Sequence, residues 1–304
     1  MKYIFLSSIL AFLSSIAFQG CTNETPAPPA TASPILPPAA SNNYWYQGKA
    51  EISTFDVTQE RYGELRQAEQ VNVFVSEDFS AQKQVKLDNA PSAGADRVPV
   101  LKLNGIRRFE TGIYDYSLMF SVFSPTQQTP SHALKTTWTV QDWCGQVFVQ
   151  TNLQPNGDYR LRQFSYFESE GDTDENIKTE LLEDEIWTAL RINPGRFSKL
   201  DSVLVLPSVL YFRFQHKPVQ VEKAQISIEK GAAESILHLK YTNIPRHLDI
   251  RFESNAPYRI LGWEQTDNGK LSSKGALKKV IMSDYWAKHD NASAPLRDSL
   301  LLNF

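Results

Sequence analysis

A chain of 304 residues with 41% hydrophobic and 21% charged side chains has the composition of a globular protein. Its formal net charge of -3 argues against nucleic acid as a main partner, which would favour a basic patch. Two cysteines, Cys21 and Cys144, are too few for a multi-cysteine zinc centre, and no metal site or cofactor is expected.

Residues 1–20 read as an address. Lys2 precedes the apolar run Tyr3–Phe18, and Gly20-Cys21 follows. A charged start, a short apolar core and a small residue before cysteine resemble a bacterial lipoprotein signal, in which cleavage precedes Cys21 and its thiol is lipidated. Residues 21–43 are rich in Pro, Ala, Ser and Thr and have nothing to bury, so they read as a lipidated tether. No acidic run follows Cys21, which favours an outer-membrane anchor facing the periplasm over surface export. No later segment reaches the ~20 apolar residues of a membrane span.

Residues 44–304 read as a β-rich domain. Lys49–Phe55 alternates as a strand, Asp56–Gln70 is polar enough for a loop, and Val71/Val73/Val75 and Val85/Leu87 each share a face. Val100–Arg108 and Thr111–Phe123 add two strands. A meander over 132–170 follows, with turns at Asp142–Gly145 and Pro155-Asn156-Gly157. Ile177, Leu181, Ile186, Ala189 and Leu190 share one face at helical spacing, predicting an amphipathic helix over about 174–192. A second strand series follows, 203–206, 209–214, 219–229, 236–241 and 248–253; in the last, Leu248, Ile250 and Phe252 alternate with His247, Asp249, Arg251 and Glu253. The Asp267-Asn268-Gly269 turn, a last strand at 277–282 and a short helical turn at 283–290 end the chain. The expected fold is mainly β: an antiparallel curved sheet or open barrel with one amphipathic helix. The series before and after the helix admit either one continuous sheet, preferred here, or two lobes, 44–172 and 200–304.

Glu168 and Glu170, two apart on a presumed strand, would stand about 6.5–7 Å apart, overlapping an inverting glycosidase pair; Asp284 is a third candidate acid. A wet strand face explains the same spacing. Cys144 in its turn reads as an inert, partly buried thiol, since none of the five histidines can be placed beside it as a base. Trp143, Cys144, Tyr166, Trp263, Tyr285 and Trp286 are candidates for a ligand site or interface, with core packing as the plainer explanation.

The segments STFDVTQERYGE, FVSEDFSAQKQVKLD, TGIYDYSLM, QDWCGQ, SYFESE, LLEDEIW, ILGWEQT and SDYWAKH, spread over about 44–289, resemble a family of Bacteroidota lipoproteins that carries the label septum formation inhibitor Maf. The label fits the chain badly. Maf pyrophosphatases are cytoplasmic and open on a Ser-Pro-Arg-Arg type motif, whereas Ser33-Pro34 is followed here by Ile35 and Ser124-Pro125 by Thr126. The resemblance implies a bacterial source and an envelope location; it transfers no catalytic residues. The expectation is a membrane-anchored envelope lipoprotein, more a binder than an enzyme, taking a lipid, another apolar ligand or an envelope protein partner. The alternative is a periplasmic glycan hydrolase using Glu168, Glu170 and Asp284.

Overall fold

The computed structural model describes residues 44–127 and 132–303; Cys21, the signal and the tether lie outside them. The described chain is mainly β, with few short helices. Its single sheet has 15 strands in the order β8-β7-β6-β5-β4-β3-β2-β1-β15-β14-β13-β12-β11-β10-β9. One arm is a meander of hairpins: β1 (Ala50–Arg61), β2 (Glu64–Ser80), β3 (Arg97–Thr111), β4 (Tyr114–Pro125), β5 (Lys135–Gln141), β6 (Gln146–Leu153), β7 (Tyr159–Ser165) and β8 (Thr173–Ile177). The other arm runs back from β9 (Leu181–Leu182) and β10 (Lys199–Leu206) through β11 (Glu222–Glu229), β12 (Glu234–Tyr241), β13 (Arg246–Glu253), β14 (Ile260–Asp267) and β15 (Lys270–Ser283). The arms join where β1 pairs antiparallel with β15, Ala50 opposite Ser283. Among the described residues only β9 and β10 pair in parallel.

This topology sorts the turns onto two ends. The front end carries the turns at Tyr62-Gly63, Gly112-Ile113, Asp142–Gly145, Tyr166–Asp172 and Asn268-Gly269; the back end carries Tyr44–Lys49, Gln154–Asp158 and the chain after Ser283. The tightest turns use left-handed backbone, as at Tyr62 and Gly63 (φ 58° and 79°) and Asn268 and Gly269 (φ 52° and 72°), the geometry that matches strand twist in a two-residue hairpin.

The inner face of the sheet is apolar and covered. Between β9 and β11 the chain leaves the sheet for two seven-residue helices, α1 (Ile186–Ile192) and α2 (Val209–Gln215). They bury Ile186, Leu190 and Phe212 in the main core with Phe74, Leu103, Leu118, Leu239 and Ile250. Two glycines let aromatic rings lie flat on the strands. Gly105 stands opposite Phe120 and Gly275 opposite Trp263, and a Cβ on either would meet the facing ring at 2.0 Å and 2.3 Å. The outer face of β1 and β2 has its own cluster, Ala50, Ile52, Val71 and Val73, covered by Leu300 and Leu302.

Several expectations are corrected. The segment expected to form a helix over 174–192 splits into β8, β9, a buried 3-10 turn at Glu183–Glu185, and α1. Its apolar positions are all buried, yet 174–177 pairs with β7 instead of coiling. Residues 209–214 form α2, entered from Pro207-Ser208. The polar stretch 56–70 is not a loop but the paired half of the β1–β2 hairpin, Asp56 opposite Glu69. Val85 and Leu87 lie in a turn region where only a lone bridge, Phe79 with Lys86, forms.

Candidate functional site: a covered trough in the sheet

Three consecutive acids hold the cover down. Glu183, Asp184 and Glu185 are all buried, and each reaches a different part of the sheet. Glu183 turns toward one arm: it accepts from Tyr241 Oη of β12 at 2.7 Å and from Arg246 of β13 at 2.5 and 3.1 Å. Arg246 also pairs with Asp267 at 2.9 Å. Glu185 turns toward the other arm: it accepts from the Ala133 N–H at 2.7 Å, Tyr159 Oη of β7 at 3.3 Å and Arg196 at 3.0 Å. Asp184 accepts from Trp138 Nε1 of β5 at 2.8 Å, and the Val209 N–H that opens α2 points at it from 3.5 Å. Burial is the main reason its carboxyl is pushed up to about 6, with the Glu183 charge adding and the bonds from Ser208 and Trp138 opposing.

A second pin fixes α1. Arg191 is fully buried and donates two parallel hydrogen bonds to Glu51 of β1, 2.7 Å to each carboxylate oxygen. Its guanidinium also lies over the rings of Trp45 and Phe74. Burial raises the Glu51 carboxyl, but Arg191 and the hydrogen bond from Tyr44 outweigh it and hold Glu51 below its ordinary value.

Under α2, between these pins, sits a small cavity of about 50 Å³ lined by Arg107, Phe120, Trp138, Trp187, Tyr211 and Trp263. Arg107 is the unusual member. It is buried on β3, and its guanidinium donates to neutral oxygens only: Gln70 Oε1 at 2.7 Å, Gln59 Oε1 and Ser273 Oγ at 3.3 Å. Burial, with no acid acting against it, lowers it to about 10. The cavity wall is mixed: aromatic rings, the acids Glu60, Glu183, Asp184 and Asp267, of which Glu183 and Asp267 pair with Arg246, and Arg107, whose guanidinium donates to neutral oxygens.

The front end around α2 is rimmed by exposed apolar side chains. Ile113 is 85% exposed, Trp143 69%, Tyr62 56% and Tyr166 47%. α2 is tied to this rim by Arg61, which donates to the Phe214 carbonyl at 3.0 Å, and by Arg213, which donates to Glu170 at 3.1 Å.

The candidate residues divide accordingly. Trp143, Cys144 and Tyr166 are brought together at the front rim; the Tyr166 ring lies against Gly145, and Trp143 donates to Asp115 at 2.7 Å. Cys144 is exposed, not partly buried as expected, because its turn projects past the sheet. Trp263 is in the core and forms part of the cavity wall. Tyr285 and Trp286 are half-exposed at the back end, where Trp286 lines a separate groove with Trp45 and Tyr46. The three carboxylates do not converge. β7 ends at Ser165, so Glu168 and Glu170 lie in a front-end turn and not on a strand. Glu170 is engaged by Arg213 and His216, Glu168 is exposed, and Asp284 pairs with Lys288 at the opposite end of the strands. Sequence reasoning passed over Arg107, Arg191, Arg246 and the triplet. Three acids set between Leu181-Leu182 and Ile186-Trp187 were the available signal, since solvated acids rarely sit inside an apolar run.

No family model, curated protein or solved structure matches the chain.

Proposed function

We propose that the chain is a lipid-anchored bacterial envelope protein, held at the outer membrane through Cys21 and facing the periplasm, whose trough takes up one amphipathic lipid. The observation that carries this reading is the group of aromatic rings beneath α2, Phe120, Trp187 and Trp263, with the buried Arg107 guanidinium beside them in a wall that also holds polar side chains. An acyl chain would replace α2 against Phe120, Trp187 and Trp263, and an acidic head would supply the negative charge that Arg107 lacks. A volume of about 50 Å³ is far below the roughly 300–1,000 Å³ of ligand sites. The described conformation is therefore the closed one, and loading requires α2 to move. The exposed rim of Tyr62, Ile113, Trp143 and Tyr166 supports entry at the front end, next to that helix.

Native mass spectrometry of the chain purified gently from its own envelope is the direct test, followed by titration with a dansyl-labelled fatty acid. We expect one bound equivalent, energy transfer from the chamber tryptophans, and weaker binding of the acid by Arg107→Gln with little change for the matching fatty alcohol. Absence of both a co-purifying lipid and saturable uptake would overturn the carrier reading. The anchor has a separate readout: Cys21→Ser should move the protein out of the membrane fraction.

A further inference from the structure

A different side-chain cluster lies on the outer face of the second arm, remote in the pleat from the trough. On β12 and β13 the residues Leu237, Leu239, Leu248 and Ile250 point inward and are buried, so His238, His247 and Asp249 point outward. His238 stands directly opposite Asp249 in the register, and His247 is two residues before Asp249 on the same face. One donor atom from each of the three lies within 4.8 Å of the other two. His238 Nδ1 is 2.6 Å and His247 Nε2 is 2.9 Å from the same oxygen, Asp249 Oδ1.

The two imidazoles are not equally satisfied. His238 Nδ1 makes a hydrogen bond to Asp249. His247 Nε2, although 2.9 Å from that oxygen, is out of line for one and is otherwise buried without a partner. A cation shared by that nitrogen and the Asp249 oxygen would give the unpartnered nitrogen a bond. Glu229, on the neighbouring strand β11, brings a second carboxylate to 3.5 Å from His238 Nε2, and Glu264 stands opposite Asp249 on β14. The patch therefore offers two imidazoles, one close carboxylate and further acids within a side chain's reach.

We propose that His238, His247 and Asp249 form a binding site for one divalent transition-metal ion, with water completing the shell and Glu229 orienting His238 from its other ring nitrogen. Two nitrogens and one oxygen suit borderline ions such as Zn²⁺, Co²⁺ or Cu²⁺, whereas Ca²⁺ and Mg²⁺ call for an all-oxygen shell. Paired β-strands hold all three ligands, so little backbone ordering accompanies binding. The site is independent of the lipid reading, since its ligands face away from the trough.

The test is calorimetric titration of the full, chelator-treated chain with Zn²⁺ chloride, in a Cys144→Ser background so that the exposed thiol does not compete. Saturation at one equivalent is expected. His238→Ala and His247→Ala should each weaken binding about tenfold or more, as losses of metal-supporting groups commonly do. His289→Ala should leave it unchanged. These are surface positions, and unchanged circular dichroism would establish that each variant is folded. Co²⁺ in place of Zn²⁺ should give visible absorption bands that disappear in the His247→Ala variant. No saturable binding below 100 µM (roughly the weak limit of a useful site), or binding indifferent to both His substitutions, would mean that the cluster is a hydrogen-bonded network only.

Discussion

At the scale of single residues, two buried acids make opposite contributions to stability. Asp184 has its carboxyl pushed up to about 6 from 3.8, chiefly by burial. Between those values the folded chain keeps a proton that the unfolded chain has lost, so stability falls as pH rises through the window. The two-unit difference corresponds to about 3 kcal/mol above pH 6. Asp184→Asn removes the charge and keeps an acceptor for Trp138. Relative to the parent it should gain about 1–3 kcal/mol in urea denaturation at pH 7.5, with the gain shrinking toward pH 4; a gap that stays constant with pH would refute this account. Glu51 behaves in the other sense. Its folded value is depressed, so its contribution is present at neutral pH and is lost as pH falls through that lowered value. Glu51→Gln leaves Arg191 buried and unpaired, and should cost about 3–5 kcal/mol. The double change Glu51→Leu with Arg191→Met should recover most of that loss, and a double-mutant cycle in chemical denaturation measures whether it does.

Among the elements, α1 and α2 are equal in length but differ in how they are held. α1 carries the buried Arg191–Glu51 pair. α2 is fastened at its two ends, by Asp184 near Val209 and by Arg61 and Arg213 near Phe214. Local opening is set by such attachments. Backbone amides of 210–216 should therefore exchange with deuterium faster than those of 187–193. Glu170→Gln, which weakens the hold on Arg213, should accelerate 210–216 further and leave 187–193 unchanged; equal exchange in both helices would remove α2 as the moving part. These helices also mark where the sequence was hard to read. Val209–Phe214 is an apolar-aromatic run interrupted only by Arg213, which suits a strand or a buried helix turn equally, and only Pro207-Ser208 signals a helix start. Ile177, Leu181, Ile186, Ala189 and Leu190 were rightly identified as inward-facing, but burial alone did not reveal that the chain changes from strand to 3-10 turn to helix between them. The polar stretch 56–70 reads as a loop for a different reason. Gln59, Arg61 and Gln70 are buried because the wall there is built around Arg107 and α2, so the usual link between polarity and exposure fails.

For the whole molecule, alternation and turn chemistry made much of the sheet legible: the Asn-Gly turns stand where the pattern places them, the strands expected at 236–241 and 248–253 lie within Glu234–Tyr241 and Arg246–Glu253, and the meander expected over 132–170 ends its third strand at Ser165. What the pattern lacked was the long-range closure, because Ala50 opposite Ser283 and Glu183 with Arg246 join residues that no local window connects. That closure predicts how the molecule unfolds. The segments 44–172 and 200–304 each own hairpins, but β1 finds its second neighbour only in β15, and both segments need the 181–197 cover to bury their inner faces. Neither can satisfy its edge strand or its apolar wall alone. Unfolding followed by tryptophan fluorescence and by circular dichroism should give one coincident transition. The isolated 44–172 and 200–304 pieces should lack cooperative transitions, and mixing them should not restore one, since α1 and the acid triplet of 181–197 belong to neither. Two separable transitions, or a piece that melts cooperatively by itself, would show instead that the arms are autonomous and that the acid triplet merely bridges finished lobes.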